Sequence, residues 1–510
     1  MSQTPREFSF SSFERTFKQK QTQLGWEWIP ADLETPVSAY LKLCGHKPHS
    51  FLFESVEGGA VLGRYSIIGF APDLIWRCTR SDVEIKRADG SFKPDKEHPI
   101  KSLKQTIKAC HIGVVPEGLP PMATSGLFGF LGYDMIRQVE AIADKNPDDL
   151  QIPDSILLRP TMLAIFDNVK NMICLVTPIY DHAGNSETDA AALFERTSQR
   201  LKDARQALLS PLDRGLLEYK TALKAPLPVS SNMDEDQYHG IVAKAAEYIR
   251  SGDIFQVVLG QRFSVDFDLP AFALYRSIRR LNPSPFLFHL ELDGFALVGS
   301  SPEILVRVRD HNVTIRPIAG TRKRGENAAE DSALAEDLLA DPKERAEHLM
   351  LLDLGRNDVG RVSEFGSVKV TDRFIVEHYS HVMHIVSNVE GRLKPDTDIV
   401  DALMAGFPAG TVSGAPKIRA MQIIDELETT RRGYYAGGVG YLSGNGDMDT
   451  CIALRTAIVK DGKMHVQAGA GIVADSKPQD EFQETVNKAK ALIQAAEEAL
   501  SQASAQDQKA

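Results

Sequence analysis

The chain has 510 residues, with 58 Lys+Arg against 69 Asp+Glu for a formal charge of −11; 43% of its residues are hydrophobic and 25% charged. That is ordinary globular usage, long enough for two or three domains. The acidic balance excludes a general nucleic-acid binder, which needs a basic face to neutralise phosphates. No long apolar run indicates a transmembrane helix, and the opening Met1–Phe8 lacks the basic stretch and apolar core of a signal peptide. Cys44, Cys78, Cys110, Cys174 and Cys451 are odd in number and never spaced C-x-x-C. Neither a disulfide framework nor a cysteine zinc site is expected, and the cytosol is the default compartment.

In chain order, the Ala-rich stretch from Asp189 to Leu209 carries Leu193, Leu201, Ala204 and Leu208 at helical spacing. Ala225–Asn232, rich in Pro and Ser, reads as a linker or an exposed crossing. A boundary there divides the chain into residues 1–231 and 232–500, with a frayed tail at 501–510. A second helix puts Tyr238, Ile241, Val242, Ala245 and Ile249 on one stripe and stops near Gly252. Ile254–Leu259 reads as a buried strand, Asn282–Pro285 as a turn, and Asp293-Gly294 as a hairpin. Strands are expected near 435–443, 449–460 and 463–473, separated by Gly444-Asn-Gly446 and Asp461-Gly462. A helix over 479–503 follows. Strands and helices do not alternate regularly, so the expected class is α+β with large, mainly antiparallel sheets.

Walker A, G-x-G-x-x-G, H-E-x-x-H and G-x-S-x-G motifs are absent. His378, His381 and His384 run as H-x-x-H-x-x-H, which on a helix would share a face and could serve a metallohydrolase. The neighbouring Val382–Val386 is apolar and β-branched, so a strand is expected. There the three would diverge, leaving one histidine to act alone. Glu344 and Glu347 are spaced i,i+3 on one predicted helix, Glu481 and Glu484 likewise on another, and Lys488 follows Glu484 at i,i+4. They read either as solvated helix faces or as carboxylates from two helices holding Mg²⁺ with a substrate oxygen.

Arg455 lies in a predicted strand with Cys451, Ala453, Ala457 and Val459 on its face. A guanidinium among small residues needs an anion, either a protein carboxylate or a bound substrate carboxylate. Ile318–Gly325 is a basic, glycine-containing loop. Phe407–Pro416 leads into a helix, with Ser413 as its expected N-cap and Pro416 in its first turn. Gly469-Ala-Gly471 permits close approach to the backbone. Together these describe a pocket for a small, multiply anionic substrate with Mg²⁺.

Six segments occur in order: Pro317–Gly325, Glu347-His-Leu-Met350, Asp353–Asp358, Gly410–Lys417, Asp449–Arg455 and Gly469–Val473. In these the chain resembles the chorismate-utilising enzymes, and among them the large subunits of anthranilate synthases. The likeness is dense over 235–495 and thinner before it, through Phe51–Ser55 and Gly126–Asp134. It implies sheets packed as a sandwich with helices outside, and a Mg²⁺-dependent lyase that turns chorismate and ammonia into anthranilate and pyruvate.

By this resemblance Glu347 and Glu484 bind Mg²⁺, with Glu344 and Glu481 in support. Arg455 and Tyr435 hold the enolpyruvyl carboxylate, assisted by backbone at Gly469, Ala470 and Gly471, and Gly320 and Thr321 are further chorismate contacts. Glu303 is the general acid for the departing C4 hydroxyl. His384 serves the elimination of pyruvate, and Thr411 and Lys488 fall in the pocket. Gln256 and Ala319 stand where the water-adding and aminodeoxychorismate-forming enzymes, respectively, carry lysine. Their identity favours the anthranilate branch over isochorismate, salicylate or aminodeoxychorismate.

The first half, with Asn282–Leu287, resembles a tryptophan-binding regulatory region. Ser55 is expected to hydrogen-bond the ligand, Glu54 or backbone carbonyls to take its ammonium, and Pro285, Phe286 and Leu287 to form the indole slot. A tryptophan-binding module without turnover is the reading from a different class, opposed by the complete acid, metal and anion set. A separate glutamine amidotransferase subunit, in a hetero-oligomer, is implied as the source of ammonia. No nucleic acid or membrane partner is expected.

Overall fold

The computed structural model describes residues 8–57, 61–88, 90–181, 189–379 and 382–507. His381 therefore lies outside the described residues. The helix Glu235–Arg250 forms where its apolar stripe was expected. Its N-cap Asp234 and Gln237 exchange a reciprocal capping box, and Tyr238, Val242 and Ala245 are buried. The helix Pro342–Val362, which carries Glu344 and Glu347, starts on Asp341, whose carboxylate accepts from the Lys343 and Glu344 amides.

The strands form two arms that leave the long strand Val61–Thr79 by antiparallel pairing. One arm runs through Ser50–Glu57, Phe286–Glu291, Phe295–Ser301, Thr456–Lys460, Lys463–Ile472 and Gln256–Asp266. The other runs through Ser155–Asp167, Leu127–Leu131, Gly438–Leu442, Met448–Ile452, Ile304–Arg309, Asn312–Ile315 and Val382–Arg392, and ends on Ile318–Lys323 and Lys369–His378. One apolar core takes Phe51, Leu290 and Leu297 from the first arm and Phe128, Leu157, Val306 and Val439 from the second, so it lies between them. A second core joins Leu52, Ile68, Val298 and Val466 to the helices Ala271–Leu281 and Pro478–Asp507. The α+β sandwich with helices outside is the observed fold.

Between Leu209 and Ser230 the chain crosses with only the 3-10 turn Arg214–Leu217. Strands from before and after this crossing pair with one another, Phe51–Glu54 with Leu287–Leu290 and Leu127–Leu131 with Gly438–Leu442.

Two expectations are corrected. The last helix continues to Asp507, past the point where a frayed tail was expected, because Leu500 and Ala503 pack into the second core. The strand expected over 449–460 is two strands, Met448–Ile452 and Thr456–Lys460, broken at Ala453–Arg455. They diverge to pair with different partners, Ile304–Arg309 and Phe295–Ser301.

Candidate active site

Arg455 sits at that break with φ +47°, a left-handed backbone that a side-chain-bearing residue adopts only when its surroundings impose it. It is therefore not mid-strand, and the face assigned to it by alternation does not apply. Among the described residues no carboxylate lies within ion-pair distance of its guanidinium. Burial lowers its pKa, opposed by the nearby Tyr379 and Glu303. A buried cation without a protein anion is a place for a ligand anion.

Glu303 follows the strand Phe295–Ser301 and is 6% exposed. The Thr411 hydroxyl donates to its Oε1 at 3.1 Å. Burial pushes its pKa up to about 8, against the opposing pull of the Thr411 hydroxyl, the Ile318 amide and Arg455. Burial thus favours the protonated form of this carboxyl, the form able to donate a proton.

His384 lies on the strand Val382–Arg392, and burial lowers its pKa. Its Nδ1 is 2.8 Å from the Gly320 carbonyl and 3.2 Å from Thr321 Oγ1. A carbonyl only accepts, so Nδ1 carries the proton and Nε2 keeps its lone pair for a base. The Tyr379 ring meets the imidazole edge-on at 5.4 Å. Tyr379 contacts His384 and lies within electrostatic range of Glu303 and Arg455, and no motif or spacing singles it out. His378 ends the preceding strand and faces Asp331 at 3.7 Å, so it does not join His384.

A second group lies along the strands Gln256–Asp266 and Lys463–Ile472, where Val258, Leu259 and Gly260 pair with Gly471, Ala470 and Gly469. A Cβ on Gly471 would stand 2.4 Å from the Gln256 amide nitrogen, and one on Gly469 would stand 2.9 Å from Tyr435 Oη. Only glycine leaves the backbone open there. Lys488 donates to the Gly469 carbonyl at 2.8 Å and pairs with Glu484 at 2.7 Å. Gln256 Nε2 reaches Glu347 at 3.4 Å, while its buried Oε1 has no partner. Burial raises the Glu347 pKa, reinforced by the charges of Glu344 and Glu484. Glu344 in turn borders Gly320, where a Cβ would stand 3.1 Å from its carboxylate.

A buried carboxylate with two further carboxylates near it, beside an unpartnered amide oxygen, fits a hard divalent cation. Among the described residues no three metal-ligating side chains are grouped closely enough to hold an ion unaided. Mg²⁺ commonly completes its shell with water and substrate oxygens. Ser413 does not cap the following helix. Its hydroxyl donates to the Ala409 carbonyl at 2.8 Å, and Pro416 occupies the N-cap of Lys417–Leu427.

Ser55 and Pro285–Leu287 border a cavity of about 1100 Å³ that also takes in Phe53, Phe288 and Tyr441 and reaches Tyr379, beside His384. Glu54 does not offer its carboxylate to this cavity. It is buried on the opposite side, held by the Tyr275 hydroxyl and by Arg279 at 2.8 and 3.1 Å. Leu287, directly across from Glu54, packs its side chain into the same outer core. Alternation therefore gives the cavity face to Phe53, Phe286 and Phe288, with Glu54 and Leu287 contributing backbone.

A family model for chorismate binding enzymes matches residues 63–494. The chain belongs to that family. It is similar to anthranilate synthase component 1 of Cereibacter sphaeroides, 53% identical over 496 residues that cover 96% of this chain and 98% of that one. The crystal structure of anthranilate synthase component I from Streptococcus pneumoniae TIGR4 is similar, with a TM-score of 0.74 at 39% identity, covering 91% of this chain and 99% of that one. A menaquinone-specific isochorismate synthase from Escherichia coli shares the fold with a TM-score of 0.67 at 20% identity, covering 96% and 98% of the two chains.

Proposed function

We propose that this chain is the synthase half of an anthranilate synthase, converting chorismate and ammonia to anthranilate, pyruvate and water at the start of tryptophan biosynthesis. The observation that carries the mechanism is the buried Glu303 carboxyl, held by the Thr411 hydroxyl, near an Arg455 guanidinium that has no carboxylate in ion-pair distance among the described residues. Hydroxide is a poor leaving group, and a positioned acid lets it depart as water. Arg455, with Tyr435 and the backbone of Gly469–Gly471, anchors the enolpyruvyl carboxylate. The ring carboxylate then points toward Glu347 and Glu484, which would hold Mg²⁺ with Glu344 and Glu481 behind them. When bound, that ion supplies Lewis-acid withdrawal of charge into the ring carboxylate.

Ammonia adds to the ring as Glu303 protonates the departing C4 hydroxyl. His384, fixed through Nδ1 by the Gly320 carbonyl, offers Nε2 to the ring proton as the enolpyruvyl C–O bond breaks; the ring becomes aromatic, and the released enolate takes a proton at its methylene carbon to become pyruvate. An amide at Gln256 and a methyl at Ala319 supply no base for water. Ammonia needs none once it arrives neutral.

Residues 232–500 would carry the reaction and 1–231 much of the regulation, with tryptophan held in the cavity between Ser55 and Pro285–Phe286. Backbone carbonyls take its ammonium, since Glu54 is already engaged by Arg279. A separate glutamine amidotransferase subunit would supply ammonia in a cytosolic hetero-oligomer. The five buried, unpaired cysteines support a reducing compartment. Purified chain with chorismate, Mg²⁺ and ammonium salt should release anthranilate and pyruvate in equal amounts. Salicylate, isochorismate or aminodeoxychorismate as the main product overturns the assignment.

A further inference from the structure

Ser300 is bonded on one side to the turn that leads to the Ser55 cavity and on the other to Arg455. It lies on the strand Phe295–Ser301, is fully buried, and pairs directly across from Leu287 at the wall of the Ser55 cavity. Its hydroxyl donates to the carbonyl of Asn282, the first residue of the Asn282–Pro285 turn. Its backbone N–H donates to the Arg455 carbonyl at 3.1 Å. One residue thus joins the turn that borders the cavity to the left-handed backbone of the anion-holding arginine.

We propose that Ser300 is the positioning residue through which occupancy of the Ser55 cavity is read at Arg455. This rests on the chorismate and tryptophan reading given above. The physical argument is that a residue at φ +47° is held there by its neighbours, and its carbonyl bond to Ser300 is one of those restraints. A ligand seated against Pro285 and Phe286 bears on the Asn282 turn. The Ser300 hydroxyl converts movement of that turn into movement of the strand end, and the Arg455 carbonyl follows. Arg455 binds substrate in this scheme, so the coupling appears in chorismate affinity.

The same turn is anchored from behind by the helix Ala271–Leu281. Its last turn bonds the Asn282 amide, and its Tyr275 and Arg279 hold Glu54, the neighbour of Ser55. The helix end and the Ser55 strand therefore form one frame, and the Ser300 hydroxyl is its link to Arg455.

Ser300→Ala removes the hydroxyl and keeps the backbone N–H. Two quantities are read on parent and variant: tryptophan affinity by calorimetry without chorismate, and chorismate KM with and without saturating tryptophan, using ammonium salt. The expected variant binds tryptophan within about threefold of the parent. Its KM ratio with and without tryptophan falls to within about twofold of one. A ratio equal to the parent's overturns the role of Ser300 while leaving the feedback reading intact. Tryptophan affinity lost in step with coupling would make Ser300 a packing residue and also overturns the inference. A parent whose chorismate KM ignores tryptophan refutes the feedback reading, and the inference with it.

Discussion

Glu303 and Arg455 have opposite electrostatic problems, and each is left unsolved by the protein alone. Burial makes one carboxyl keep its proton and leaves one guanidinium without a counter-ion. Glu303→Gln should lower kcat by roughly 10²–10⁴-fold with the fold intact, the usual yield of a positioned acid. The acid form is the working form, so activity is present below its pKa and lost above it. At a fixed concentration of free ammonia, the parent rate should fall as pH rises through about 8, and Glu303→Gln should lack that limb. Arg455→Lys keeps the charge but loses the planar fork, and should raise chorismate KM roughly 10-fold or more. An unchanged KM would remove Arg455 from the carboxylate site.

At this scale the reactive residue types were legible and their backbone was not. Arg455 stood out as a cation among small apolar residues. Side-chain alternation carries no information about a single positive φ, so the sequence alone predicts a continuous strand there. Glu54 and Leu287 border the cavity through their backbone while their side chains turn away, for a related reason. A motif names adjacent residues, whereas adjacent strand residues point to opposite faces. Ser300 and Tyr379 carry no local signal, because their roles come from segments distant in the chain.

Among the elements, the helix Ala271–Leu281 has the sharpest consequence. It delivers Tyr275 and Arg279 to a carboxylate whose side chain is 0% exposed. Removing one partner of such a pair leaves a buried charge, so Arg279→Met should cost about 3–5 kcal/mol in urea unfolding. A loss below about 1 kcal/mol would mean water reaches Glu54. The strand Ser50–Glu57 makes a separate prediction. Ser55 Oγ occupies space left by Gly63, where a Cβ would lie 1.8 Å away, so a larger side chain must project into the cavity. Ser55→Phe should relieve tryptophan inhibition with little change in rate without tryptophan. A variant as sensitive as the parent would place the effector elsewhere.

Elements with strong periodicity, such as Glu235–Arg250 and Ala190–Leu209, were readable because burial repeats every turn. The break at Ala453–Arg455 was not, because both flanks are apolar and only their divergent pairing separates them.

For the whole molecule, the Pro/Ser-rich crossing near 225–232 reads as a boundary, yet hydrogen-bond ladders run across it. Composition reports the local chain, and pairing between segments more than 200 residues apart leaves no mark in it. Fragments 1–231 and 232–510 expressed separately should each expose an unpaired edge and fail to unfold cooperatively, while co-expression should restore activity. A fragment with a sharp unfolding transition of its own would contradict the interleaved ladder.

The proposed reaction requires the nitrogen of ammonia to enter the ring, and this distinguishes it from water addition on the same fold. The direct measurement is mass analysis of the product formed from chorismate and ¹⁵N-ammonium with Mg²⁺, beside a reaction given glutamine instead. Labelled anthranilate is expected with ammonium, and no product from glutamine until an amidotransferase subunit is added. A product without the label, formed equally well when ammonium is omitted, would contradict the proposed reaction.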